Sequence, residues 1–218
     1  MLNSSPLPTS KTTADLIADR LREAISTGQL PSGSALKQDV IAKELSVSKI
    51  PVREALHQLK KEGLVDIRPN RGAVVTQLTF EEIDEIFAMR VALESLALRR
   101  AMPNMTATTF SEAEAIVGQL DEEANLDRWA KLNWAFHLTL YKPSNMSHLI
   151  ETVESLHANV GRYLRLTNWG DENYLLIPQK EHWELLDLCR RQELNLAQLT
   201  LEKHMRGPVA HLRKHMNE

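Results

Sequence analysis

Apolar residues recur at helical spacing in "KTTADLIADRLREAISTG", where Ile17, Leu21 and Ile25 share one stripe, Thr12 or Thr13 starts the helix and Gly28 stops it. The Pro-, Gly- and Ser-rich stretch "QLPSGSALKQ" then reads as a turn. Two short helical patterns follow, "QDVIAKEL" and "SVSKIPVREALHQLKKEG". The second opens on Ser48 as N-cap, carries Pro51 in its first turn where a missing N–H is harmless, and closes at Gly63. The period then changes to two: "LVDIR" alternates, "PNRG" turns and "AVVT" returns, which is a small hairpin. Three helices and a hairpin in this order are the plan of a winged helix-turn-helix.

Thr79 and Glu82 form a capping box that starts a new helix running toward Met102 and Pro103. Beyond it strand signals vanish. Helical patterns continue over 107–122, 127–141, 147–167, 175–191 and 194–216, broken by "MPNMT", "KPSN" and "NWGDEN". The expected fold is therefore mainly α: a disordered tail (1–10), a winged helix-turn-helix (11–76), a linker (77–79) and an all-α six-helix bundle (80–218).

Composition narrows the class. With 218 residues and 43% hydrophobic content the chain can bury a real core in one large or two small domains. The start has no basic-then-apolar leader, and no window approaches the roughly 18 apolar residues of a membrane span, so the expected location is the cytoplasm. A single cysteine, Cys189, rules out an internal disulfide and a Cys-based zinc site, so any metal must rely on His and oxygen. The net charge of −3 conceals an asymmetry: residues 1–75 hold 11 Lys and Arg against 8 Asp and Glu, and the rest 15 against 21. The basic part is the one suited to phosphate.

In "SVSKIPVREALHQLKKEGL", Val52, Leu56 and Leu59 lie on the core side while Lys49, Arg53 and His57 recur every four residues on another face. Long cations near the N-terminus of an exposed helix suit the major groove, where Arg makes two bonds to guanine, and Ser48 with the first-turn amides can hold a phosphate. A solvated basic face is the ordinary reading of such a pattern. The preceding short helix and the following hairpin favour DNA instead.

The run from "ISTGQLPSG" through "SVSKIPVREALHQLKKEGLVDIRPNRGAVV" resembles the DNA-binding domain of the GntR family of bacterial transcriptional regulators. The resemblance implies that Lys49 and Arg53 read or clamp the major groove and that Arg71 and Gly72 at the wing tip approach the minor groove. Lys49 stands where the family more often has Arg, a point charge replacing a fork. Asp39 stands where some relatives use Arg, so that contact is not carried over.

In the helical half, Asn133 and His137 lie opposite the polar side formed by Arg128, Lys131, Thr139 and Lys142. His182 shares a face with Leu185, Leu186 and Cys189, and His204 with Ala197, Leu201 and His211. One inward histidine is commonly a satisfied core residue. Three, from three helices, each need a buried partner, and one shared metal ion would serve them all. Residue types alone leave both readings open.

This half is similar to the FCD domain that follows GntR-type modules. That resemblance implies a divalent cation (zinc, nickel or manganese) held by Asn133, His137, His182 and His204, with open positions for water or an effector carboxylate. Asn133 supplies a neutral oxygen where many relatives have a carboxylate. Arg90 and Arg162 are candidates for holding a small organic acid effector. Each also has a plain reading, Arg90 as a helix-surface pair with Glu94 and Arg162 as a solvent-facing residue. The expected protein is a homodimeric repressor on a pseudo-palindromic operator, its operator affinity controlled by its effector. The alternatives are a purely structural metal and dimerisation domain behind the same DNA-binding head, and a metal-dependent hydrolase. The hydrolase lacks a Glu or Asp well placed beside the ligands as general base.

Overall fold

The computed structural model describes residues 11–68, 72–167 and 176–216, without the side chains of 68, 162, 164–167, 176–178, 211 and 214–216. The expected tail at 1–10, Arg71, and the side chain of Arg162 lie outside the described residues. The chain forms two compact units, residues 1–77 and 78–218.

In the first unit, α1 (Thr13–Ser26) starts at a capping box: the Thr12 hydroxyl accepts from the Asp15 N–H, and the Asp15 carboxylate accepts from the Thr12 N–H. α2 spans Gln38–Glu44 and α3 Lys49–Lys61. The apolar stripe of α1 (Ile17, Leu21, Ile25) closes with Val52, Leu56 and Leu59 of α3 into one core. α3 ends in a Schellman motif. Leu64 N–H donates to the Leu59 carbonyl, Gly63 N–H to that of Lys60, and Gly63 takes φ +75°, which a side chain would disfavour.

The sheet has one strand more than the sequence pattern predicts. β2 (Val65–Arg68) and β3 (Gly72–Val75) pair antiparallel as expected, and β1 (Ala35–Leu36) adds to the other edge of β3. Its two residues are hidden in a segment whose Pro, Gly and Ser content signals only a turn. Gly33 N–H donates to the Val75 carbonyl and Val75 N–H to that of Ser34, so the strand forms because a distant partner satisfies it.

The second unit holds α4 (Phe80–Ala101), α5 (Ala107–Glu122), α6 (Leu126–Tyr141), α7 (Ser147–Thr167), α8 (Leu176–Arg190) and α9 (Leu194–Met216). Short 3-10 turns carrying Pro103 and Pro143 end α4 and α6. α4 packs against α6, α7 and α9, while α5 packs on α6 and α8 and α8 on α9. Leu98, Leu120, Phe136, Leu140, Leu185, Leu186 and Leu201 fill the core between them. Two surface assignments are corrected. Thr139 is buried, because its hydroxyl donates to the Ala135 carbonyl one turn back and so needs no water. Arg90 and Glu94 also pair inside the bundle, at 5% and 0% exposure, rather than on a helix surface.

Candidate metal centre and nucleic-acid interface

Three helices bring the inward histidines together: α6 supplies His137, α8 His182 and α9 His204, all buried. Each offers a ring nitrogen, and these nitrogens lie within 4.8 Å of one another. The ring centroids are 5.5 Å (His137–His182), 5.1 Å (His137–His204) and 4.6 Å (His182–His204) apart. Phe136 packs on His182 at 4.9 Å and Trp129 at 6.2 Å, forming an aromatic wall.

Hydrogen-bond accounting fixes the tautomers. The Tyr141 hydroxyl donates its one proton to Glu94 Oε2 at 2.8 Å, so its oxygen accepts from His137 Nδ1 at 3.3 Å. Glu181 Oε2 accepts from His204 Nδ1 at 3.1 Å. In neutral rings this leaves lone pairs on His137 Nε2 and His204 Nε2, which face each other across 3.2 Å. That gap calls for a proton or a cation. A cation could also engage His182, both of whose ring nitrogens are buried with no partner among the described residues, whereas a proton shared by the other two would leave it so. Asn133 Oδ1, one helical turn before His137, is a further buried oxygen without a partner among the described residues. The donor set of three imidazoles and an amide oxygen fits a divalent transition metal.

His137 and His182 are held in the neutral form, the form in which an imidazole can ligate a metal. Burial first, then the neighbouring His204, His182, Arg90 and His157, hold His137 well below the usual histidine value of 6.5. Burial and His204 do the same to His182. Tyr141 is pushed well above its usual value by burial and by Glu94, so it stays a donor. Burial raises the Glu181 carboxyl, but hydrogen bonds from His204 and Lys203 outweigh it, and the net shift is downward. The unfolded chain protonates His137 and His182 near 6.5, and the folded metal-free chain does not. Stability in chelator should therefore fall as pH drops below that value, by up to about 1.4 kcal/mol per pH unit for each ring. A melting temperature that stays flat between pH 7 and 5 would contradict this.

Several participants are absent from the sequence reading. Glu94, Tyr141 and Glu181 surround the triad, and Glu181 corrects the expectation that no carboxylate stands beside the ligands. Its signal was its place next to His182, but the contact that matters is with His204 on another helix. His157 of α7 is a fourth inward imidazole, stacked on Trp134 at 4.1 Å and 11°. Its spacing with Val153 and Val160 could have revealed it. Arg90 adds a smaller contribution to the lowering of His137 that burial leads, with its Nε on Glu94 Oε1 at 2.8 Å and its guanidinium 5.2 Å from the Phe87 ring centre. Among the described residues no hydrogen bond uses its two terminal amino groups.

In the first unit, Ser48, Lys49, Arg53 and His57 are all exposed on α3, opposite the fully buried Val52, Leu56 and Leu59. Ser48 is the N-cap, yet its hydroxyl makes no capping bond with the helix. Lys49 Nζ pairs with Asp39 at 2.8 Å in the open. Gly72 opens β3, exposed, at φ +71°.

Two family models match the chain: bacterial regulatory proteins of the gntR family over residues 13–75, and the FCD domain over residues 85–207. The chain belongs to the GntR family, with an FCD domain. Among similar curated proteins are the uncharacterized HTH-type transcriptional regulator YdhC of Bacillus subtilis and the HTH-type transcriptional repressor RspR of Escherichia coli. YdhC is 25% identical over 92% of this chain and 90% of its own length. RspR is 25% identical over 85% and 82%. The solved structure of E. coli McbR/YncC superposes with a TM-score of 0.84 at 25% identity, covering 95% of this chain and all of that one. This GntR-family regulator is therefore a DNA-binding transcriptional regulator, and its relatives are regulators rather than enzymes, which disposes of the hydrolase reading. Among the described residues no helix is long and apolar enough to cross a membrane.

Proposed function

We propose that this GntR-family chain is a homodimeric cytoplasmic repressor whose FCD unit (80–218) holds a divalent cation and answers to a small organic acid. Asn133, His137, His182 and His204 would hold the cation, which when bound supplies a Lewis-acidic anchor for an effector carboxylate. The observation that carries this reading is the 3.2 Å approach of the His137 and His204 Nε2 atoms beside the His182 nitrogens, which have no partner among the described residues. Arg90 offers its unused terminal amino groups to the same carboxylate, and Arg162 is the second proposed anchor. On the DNA side, Ser48, Lys49, Arg53, Arg71 and Gly72 would meet a pseudo-palindromic operator, one half-site per subunit. The effector releases the operator by favouring one arrangement of the two copies. Repression is supported by the similarity to RspR, itself a repressor.

The test is a thermal-shift panel of small carboxylates with and without chelator, followed by operator binding for each stabilising compound. A carboxylate present at about 100 times its dissociation constant should stabilise by about 2.7 kcal/mol, lose that effect on chelation, and weaken operator binding. If no carboxylate alters operator affinity, the helical unit is a structural and dimerisation domain only.

A further inference from the structure

Two buried carboxylates stand just outside the proposed ligand set, Glu94 on α4 and Glu181 on α8. Each is tied to the Nδ1 of one ligand histidine, Glu181 directly to His204 and Glu94 through Tyr141 to His137. The ligands themselves are three neutral imidazoles and, with Asn133, a neutral amide. A dication bound by them has no negative charge in contact with it, deep in a bundle core where unbalanced charge is expensive.

We propose that Glu181 supplies, through His204, the negative charge that Asn133 withholds, and that this arrangement biases the site toward zinc or nickel over manganese. This inference rests on the metal reading above.

Glu181 and Glu94 are not equivalent, because their counter-ions differ. Glu94 is fully buried against the buried Arg90, so the two charges largely cancel where they stand. The partner of Glu181 is Lys203, whose side chain is 71% exposed, so water screens its ammonium while the carboxylate, at 9%, stays inside. The uncancelled anion is therefore the one on His204. A carboxylate accepting from Nδ1–H makes the opposite nitrogen a stronger donor to a metal and locks the ring in place. Glu94 and Tyr141 fix the tautomer of His137 without adding net charge. All three are positioning residues. Nitrogen donors favour the late divalent metals, whereas manganese depends more on carboxylate oxygen in direct contact.

The experiment measures zinc and manganese affinity of the full chain by competition with a chromophoric chelator, with the visible spectrum of cobalt(II) reporting coordination. Glu181→Gln keeps the shape and an acceptor oxygen but removes the charge, and should weaken zinc by about 10- to 100-fold while the cobalt bands stay those of the same ligand set. Asn133→Asp in the Glu181→Gln background should restore zinc affinity, and Asn133→Asp alone should raise manganese relative to zinc. Lys203→Met, on an exposed side chain, leaves Glu181 less screened and should tighten zinc even if Glu181→Gln folds poorly. Zinc affinity unchanged in Glu181→Gln, no rescue by Asn133→Asp, or weaker or unchanged binding in Lys203→Met would overturn the proposal. A wild-type chain that binds none of these metals would instead remove the metal reading on which it rests.

Discussion

Substituting His182 with alanine should abolish the metal-dependent part of the protein's thermal stability while leaving the chelated protein nearly as stable as the chelated wild type. The asymmetry comes from the state of His182 without metal. Both of its ring nitrogens are buried with no partner among the described residues, and each such group costs about 1–3 kcal/mol. Removing the ring relieves that penalty and leaves a cavity of opposite sign, so the two effects offset. With metal present at about a thousand times its dissociation constant the wild type gains about 4 kcal/mol. In a domain of this size that raises the melting temperature by about 10 °C. The variant, short of one ligand, should show little of this gain. A full metal-induced shift in His182→Ala would show that the ring is a core residue and not a ligand.

The second large effect is expected at Arg53. Its side chain is exposed on α3, one turn after Lys49, while the same helix anchors itself through the fully buried Val52, Ala55, Leu56 and Leu59. Replacing Arg53 by alanine leaves that core untouched, so the loss should appear in DNA binding and not in folding. A bidentate Arg–guanine contact discriminates by about 1–3 kcal/mol, and a dimer on two half-sites uses it twice. Operator affinity should therefore fall by roughly 30-fold or more, with a smaller fall on random duplex. Fluorescence anisotropy against salt separates the two roles, because a lost phosphate contact flattens the log–log slope by about 0.9 each and a lost base contact does not. Equal losses on operator and random DNA would make Arg53 a phosphate clamp. Lys49→Ala should cost less, since its ammonium is a single point charge already shared with Asp39.

The elements of the fold were legible because their signals are local. The helix start at Thr12 or Thr13, the capping box at Thr79, the turn glycine at Gly63 and the 3.6-residue stripes locate all nine helices of the described chain to within a residue or two. Ala35–Leu36 was not legible, since a two-residue strand has no period and exists only through its pairing with β3. The inward faces of His137, His182 and His204 were read from helical phase, and the structure brings these three together. Glu181 was not read as a partner. It lies next in sequence to one histidine and bonds another, 23 residues away. Arg90 and Glu94 looked like a surface pair because four-residue spacing is the same on either side of a helix.

The sequence by itself thus determined which helices form, which face of each is apolar, and that basic side chains crowd the start of α3. Those properties depend on residues within a turn or two of one another. The contact of Tyr141 with His137 lies within one turn of α6, but tertiary structure alone decided that Glu94 of α4 takes the Tyr141 proton, that Glu181 of α8 takes up Nδ1 of His204, and so that the opposite nitrogens converge with those of His182. The tautomer of a buried ring is set by whichever donor or acceptor the neighbouring helix places against it, and no local pattern encodes how helices cross.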